Sequence, residues 1–177
     1  MDTKLRPATS SDIDRIAAIL KQAVLQLEHH GIRQWDELYP TVDDVSSDID
    51  DQTLFVLAQE KEIAAVITLN ETQEDEYKNG RWTFLDGRIA VIHRLCVDTR
   101  YQNQGIAKTI MLLAEKQLHE NGYSAIRLDV FSQNPFAIKL YESLGYARVG
   151  EVLFRKGKFY LYEKSLGTPA TTKAATQ

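Results

Sequence analysis

Cysteine is almost missing from the chain: Cys96 stands alone among 177 residues. No intramolecular disulfide can form, and zinc sites built on several thiolates are excluded. A reducing cytoplasm suits such a chain. Long apolar runs are missing too. No stretch approaches the ~20 apolar residues needed to cross a bilayer, and the opening MDTKLRPATSSDIDR has no apolar core of signal-peptide length. Neither export nor membrane insertion is expected. Positive charge is in deficit, with 21 Lys and Arg against 25 Asp and Glu, a net charge of −4. That balance argues against a protein that wraps a phosphate backbone, so nucleic acid leaves the expected partners. His29, His30 and His119 have no HExxH-like spacing, and no catalytic metal is expected.

What remains is ordinary globular composition, 44% hydrophobic and 26% charged. A chain of this length buries roughly 70% of its surface on folding, enough for a core without staples. Residues 1–166 read as a single domain. The last eleven, GTPATTKAATQ, contain no large apolar side chain and read as a mobile tail over 167–177.

Periodicity places the elements. A strand at Thr3 to Arg6 ends at Pro7, which has no N–H to give a ladder. A helix follows, with Thr9 and Ser11 as caps and Ile13, Ile16, Ala17, Leu20, Val24 and Leu27 as its apolar stripe, ending at Gly31. The acidic segment Thr41 to Asp51 is long enough for one or two helical turns. Thr53 to Ala58 and Ile63 to Leu69 form a hairpin, and Glu71 to Glu76 an acidic loop. Eight of the nine glycines lie at or beyond Gly80. In this half Ile89 to Val97 is a strand, Gly105 to Glu120 a helix and Ala125 to Phe131 a strand. Asn134-Pro135 starts a helix over Phe136 to Leu144, since Asn caps free amides and Pro is tolerated in the first turn. Ala147 to Phe154 and Lys158 to Lys164 close the chain as a hairpin, with Arg155, Lys156 and Lys158 as its solvated turn.

The order strand, polar glycine-containing loop, helix N-terminus suits an anionic ligand, because the open amides of the first turn and the positive dipole end face it. The loop is Gln102-Asn103-Gln104-Gly105-Ile106-Ala107-Lys108. Gly105 and Ala107 are small enough to let a pyrophosphate approach the backbone. A Walker loop would need glycines where Gln102 and Ala107 stand. A dinucleotide fingerprint would need one where Asn103 stands.

These residues resemble the GNAT superfamily of N-acetyltransferases, whose cofactor loop reads Q/R-x-x-G-x-G/A; Gln102, Gly105 and Ala107 match it. Downstream, Asn134 to Tyr146 (NPFAIKLYESLGY) is similar to the family's N-x-x-A-x-x-L-Y-E-x-x-G-F/Y segment. Ala107 replaces the commoner Gly, Gln102 the commoner Arg, and Thr99 the common Pro. The resemblance spans roughly Leu5 to Leu166. It implies an α/β (α+β) fold: a mixed, mostly antiparallel central sheet of six to seven strands, helices on both faces, splayed between the fourth and fifth strands.

The resemblance also implies acetyl-coenzyme A as co-substrate and a small-molecule or peptide amine as acceptor. Leu95, Cys96 and Val97 would pair their backbone with the pantetheine arm, the amides of Gln102 to Lys108 would hold the diphosphate, and Asn134 would touch the arm. Tyr141 would be the general acid for the departing thiolate. By spacing alone it also fits the buried stripe Ala137-Leu140-Tyr141-Leu144. Strict alternation places His93 on the face of Leu95 and Val97, where an imidazole could take the amine's proton; Asp129 is a rival base. Cys96 reads as a small buried residue rather than a nucleophile, with Arg94 on its face and no histidine there to activate it. In the first interhelical loop Trp35 and Tyr39 read as acceptor-pocket residues or as a small core under the loop. The acidic segments would favour a cationic amine if they flanked the pocket. Dimers are common among such folds, and no sequence feature specifies an interface. A non-catalytic coenzyme A sensor and a transferase of longer acyl groups are the alternatives.

Overall fold

The computed structural model describes residues 3–168; most of the segment read as a tail, 169–177, lies outside the described residues. Seven strands make one sheet: β1 (Lys4–Pro7), β2 (Leu54–Gln59), β3 (Glu62–Asn70), β4 (Arg88–Val97), β5 (Tyr123–Phe131), β6 (Ala147–Phe154) and β7 (Gly157–Ser165). Their order is β1-β2-β3-β4-β5-β7-β6. Only β4 and β5 run parallel; the other neighbours are antiparallel. A parallel pair needs a crossover, and α3 (Ile106–Glu120) supplies it. The other helices are α1 (Ile13–His29), α2 (Val42–Asp50) and α4 (Pro135–Ser143). This is the mixed, mostly antiparallel sheet that the resemblance implies.

Both faces of the sheet are covered. Ile110, Met111, Ala114 and Leu118 of α3, with Tyr141 of α4, pack on Ala90, Ile92, Ile126 and Leu128. On the other face Ile16, Ile19, Leu20 and Ala23 of α1 and Val45 of α2 pack on Val56, Val66 and Cys96. The buried stripe of α1 is therefore turned slightly from the sequence reading, with Ile19 and Ala23 inside and Ala17 and Val24 at its margin.

Local chemistry sets the helix starts. Thr41 accepts the Asp44 amide at 3.2 Å while Asp44 Oδ2 accepts the Thr41 amide at 2.7 Å, a capping box in an acidic first turn. The acids of this segment are thus partly consumed in forming α2. Asn134 Oδ1 accepts the Ala137 amide at 3.1 Å, with Pro135 in the first turn of α4.

One irregularity decides which side chains share a face. Strands β3 and β4 pair as Ala65↔Val97 and Val66↔Cys96, then resume as Thr68↔His93 and Leu69↔Ile92. Ile67 therefore stands opposite both Arg94 and Leu95, a β-bulge, and Arg94 takes a φ of +48°. The bulge flips the alternation. Leu95 and Val97 lie with Ile92 on the α3 and α4 face, whereas His93, opposite Thr68, lies on the α1 and α2 face with Cys96. Strict alternation had placed His93 with Leu95 and Val97, and had left Cys96 without a histidine on its face; both readings are corrected by the extra residue.

Candidate active site

Beyond Val91↔Arg127 the register of β4 and β5 stops. Among the described residues the edge of β4 that faces β5 has no strand partner from Ile92 to Val97, and a cleft of about 880 Å³ opens in the gap. One end lies at the N-terminus of α3, the other between the loop after α1 and the β6–β7 hairpin.

At the α3 end, Leu95 and Val97 line the cleft, together with Gln102, Asn103, Ile106 and Ala107. Gly105 is the helix cap, held at φ +77°, and a Cβ placed there would meet nothing within 4 Å. Thr109 makes the first intrahelical bond, to the Gly105 carbonyl at 3.0 Å. The amides of Ile106, Ala107 and Lys108 thus have no intrahelical acceptor, and Lys108 adds a positive charge to the lining. The loop is fixed from behind. Gln102 and Gln26 of α1 exchange amide hydrogen bonds of 2.6 and 2.7 Å. Asp98, fully buried, is paired with Arg15 and Arg100 and accepts the Arg100 amide at 2.9 Å. An open strand edge, free helix-terminal amides and a lysine fit an acyl-coenzyme A, whose pantetheine carries amides and whose diphosphate is anionic.

Two residues expected here do not line the cleft. Gln104 is exposed and donates to the Arg100 carbonyl at 3.1 Å. Cys96 points its side chain into the α1 core, 5% exposed, and burial pushes its thiol up to about 12, helped by the Asp98 charge. Asn134 does line the cleft, but its amide is already engaged: Oδ1 caps α4 and Nδ2 donates to Gln34 at 2.7 Å.

Tyr141 joins two descriptions. Its ring is 7% exposed and packs edge-on against Tyr146 at 5.7 Å, yet the residue lines the cleft. Among the described residues its hydroxyl has no hydrogen-bond partner. Burial first, and the Asp129 charge second, hold that hydroxyl well above the usual tyrosine range. It stays protonated at any physiological pH.

The opposite end carries the titrating groups. Asp129 accepts a hydrogen bond from the Tyr77 hydroxyl at 2.7 Å. Burial raises its carboxyl to about 6, against the Tyr77 bond and with a contribution from Glu74. His93 moves the other way, to about 4, through burial and the adjacent Arg94 charge. Asn70 Oδ1 accepts the Thr72 amide at 3.0 Å and also meets His93 Nε2 at 2.9 Å. A backbone hydrogen bond to Thr72 raises the imidazole again, by less than burial lowers it. Arg94 turns into the core beside Asp48 of α2 and donates to the Tyr39 hydroxyl at 2.7 Å.

Sequence reasoning missed several participants. Trp35 and Tyr39 do line the cleft, and they are joined there by Phe131, Phe154 and Phe159. Arg155 and Lys156, read as a solvated turn, both pair with Asp36, at 2.8 and 3.0 Å, and tie the hairpin to the loop that carries Trp35. Of the nine acidic residues in the two acidic segments, Glu74 lines the cleft. Aspartate 48 is drawn into the core. The ring cluster could have been suspected from alternation in β7; the Asp36 tie could not, because 119 residues separate it from Arg155.

Among the described residues no helix is long and apolar enough to cross a membrane, and no group of three or more His, Cys, Asp or Glu side chains is placed to hold a metal.

Comparison with known proteins agrees with this geometry. The family model described as the acetyltransferase (GNAT) family matches residues 21–146. The chain is 28% identical over 164 residues to the uncharacterized N-acetyltransferase YesJ of Bacillus subtilis, covering 90% of this chain and 88% of that one. It is 32% identical over 93 residues to the ribosomal protein bS18-alanine N-acetyltransferase of Haemophilus ducreyi, covering 46% and 64%. Among solved structures, a GNAT family acetyltransferase of Streptococcus agalactiae superposes with a TM-score of 0.83 at 23% identity, covering 92% and 95%. The protein is therefore a member of the GNAT family of N-acetyltransferases.

Proposed function

We propose that the protein transfers the acetyl group of acetyl-coenzyme A to a primary amine by direct attack within a ternary complex. The observation that carries this reading is the joining, in one cleft, of an unpaired β4 edge and open α3 amides to a free Tyr141 hydroxyl and an ionisable Asp129. Acetyl-coenzyme A supplies the acetyl group as a thioester. The backbone of Leu95 to Val97 would align its pantetheine arm, and the amides of Ile106 to Lys108 would hold the diphosphate.

The acceptor arrives as an ammonium ion, since alkylamines titrate near ~10, and must lose a proton before its nitrogen bonds to the acetyl carbon. Asp129 is better matched than His93 to this task near neutrality, because a base works best with a pKa close to the working pH. As the carbon–sulfur bond breaks, the Tyr141 hydroxyl donates to the sulfur, and the second proton lost by the amine nitrogen restores the Tyr141 hydroxyl. The products are the acetamide and the free thiol, with one proton released to solvent. Direct attack is favoured over a covalent acyl-enzyme because Cys96 is buried in the α1 core and does not line the cleft, with its thiol at about 12.

The test is thiol release from acetyl-coenzyme A across a set of primary amines, with both substrates varied. Intersecting initial-rate lines support direct attack, parallel lines overturn it, and binding without thiol release with any amine would make the protein a sensor instead.

A further inference from the structure

We propose that the acceptor is a primary ammonium compound on an apolar body, the body seated against Phe131, Phe159 and Phe154 and the ammonium held by Glu74 and Asp129. This rests on the N-acetyltransferase reading above and narrows it to a substrate class.

The three phenylalanines form a continuous wall at the end of the cleft away from α3. Phe131 and Phe159 have centroids 5.1 Å apart, and Phe159 and Phe154 5.2 Å. Register explains the row: Phe131 pairs with Phe159 across β5 and β7, and Phe159 with Val152, two residues from Phe154, across β7 and β6. Trp35 lines the same end, brought to the hairpin by the pairing of Asp36 with Arg155 and Lys156.

Charge within this wall is one-sided. Glu74 and Asp129 both line the cleft, and their charges are close enough that Glu74 hinders ionisation of Asp129. Among the described residues neither forms an ion pair, and Asp129 has only the Tyr77 hydroxyl. Arg94 is paired with Asp48 and the hairpin pair with Asp36, Arg127 donates to Gln73 and the Phe84 carbonyl, and the lysines of the lining, Lys108 and Lys139, stand on α3 and α4. Two carboxylates without counter-ions beside an aromatic wall complement one ammonium group whose apolar body lies against the rings. They do not complement a polyamine, whose further charges would lie on the rings, or an amino sugar, whose hydroxyls would be buried without partners.

The experiment measures thiol release by the full chain with acetyl-coenzyme A and five acceptors: 2-phenylethylamine, hexylamine, spermidine, glucosamine and an alanine-initiated hydrophilic peptide. The first two should exceed the other three by tenfold or more in kcat/KM. In Glu74→Gln the KM for 2-phenylethylamine should rise at least fivefold while the KM for acetyl-coenzyme A holds, and Phe159→Leu should narrow the preference over spermidine. A flat profile, or a lead by spermidine, glucosamine or the peptide, overturns this inference and leaves acetyl transfer standing. Absence of thiol release with every amine overturns both.

Discussion

His93 and Asp129 each stand two residues beyond the last pair that joins β4 to β5, Val91 and Arg127, and on the same face of the sheet. They are the first residues of that face on either side of the gap. Their environments drive them apart: burial and Arg94 lower His93 to about 4, while burial and Glu74 raise Asp129 to about 6. Only one of them titrates close to neutrality.

The pH profile follows. With Asp129 as base, kcat/KM for the amine should fall about tenfold per pH unit below 6, apart from any limb near ~10 from the acceptor itself. Asp129→Asn should remove the lower limb and reduce turnover by about 10²- to 10⁴-fold. His93→Ala should keep the limb. A limb near 4 that disappears with His93→Ala would return the role to the histidine.

The same carboxyl weakens the fold at neutral pH. Its pKa is higher folded than unfolded, so the folded state holds the proton more tightly, and the contribution of this group is complete below the ordinary carboxylate range and lost as pH rises through about 6. Asp129→Asn should therefore raise Tm by a few degrees at pH 7, and the difference should vanish near pH 4. Thermal unfolding at the two pH values checks it. A gain in stability coupled to a loss of activity is the pattern of a group kept for chemistry.

Tyr141→Phe leaves the ring packing on Tyr146 intact and removes one hydroxyl that has no partner among the described residues. Tm and the Kd of acetyl-coenzyme A should stay close to the original values, and kcat should drop at least about 10²-fold. Calorimetry and steady-state rates separate the two effects. An unchanged kcat would return Tyr141 to the core.

Gly105→Ala tests the cradle. Nothing would touch the new methyl group, so the cost is conformational: a residue at φ +77° other than glycine loses about 1 kcal/mol. The first turn of α3 should relax away from this geometry, and the Kd for acetyl-coenzyme A should rise about fivefold. An unaltered Kd would show that the amides of this turn do not bind the diphosphate.

Much of this was legible because it is local. The capping residue Asn134, the two hairpins, and the order strand, loop, helix around Gly105 depend on neighbours within a few positions. The paired segments at Gln102 and Asn134 carried the family. Alternation failed at one place, Arg94, because a bulge inserts a residue without any glycine or proline to announce it, and every side-chain direction in β4 after that point reverses.

By itself the sequence determined a chain without an intramolecular disulfide, its element order and its family, since composition, periodicity and contiguous motifs are properties of the chain alone. Tertiary structure decided the chemistry of the end of the cleft away from α3. The rings of Phe131, Phe154 and Phe159, the pairing of Asp36 with Arg155, and the opposed titrations of His93 and Asp129 arise only when distant strands meet. Burial and the proximity of charges set those pKa values, and neither exists before the sheet closes.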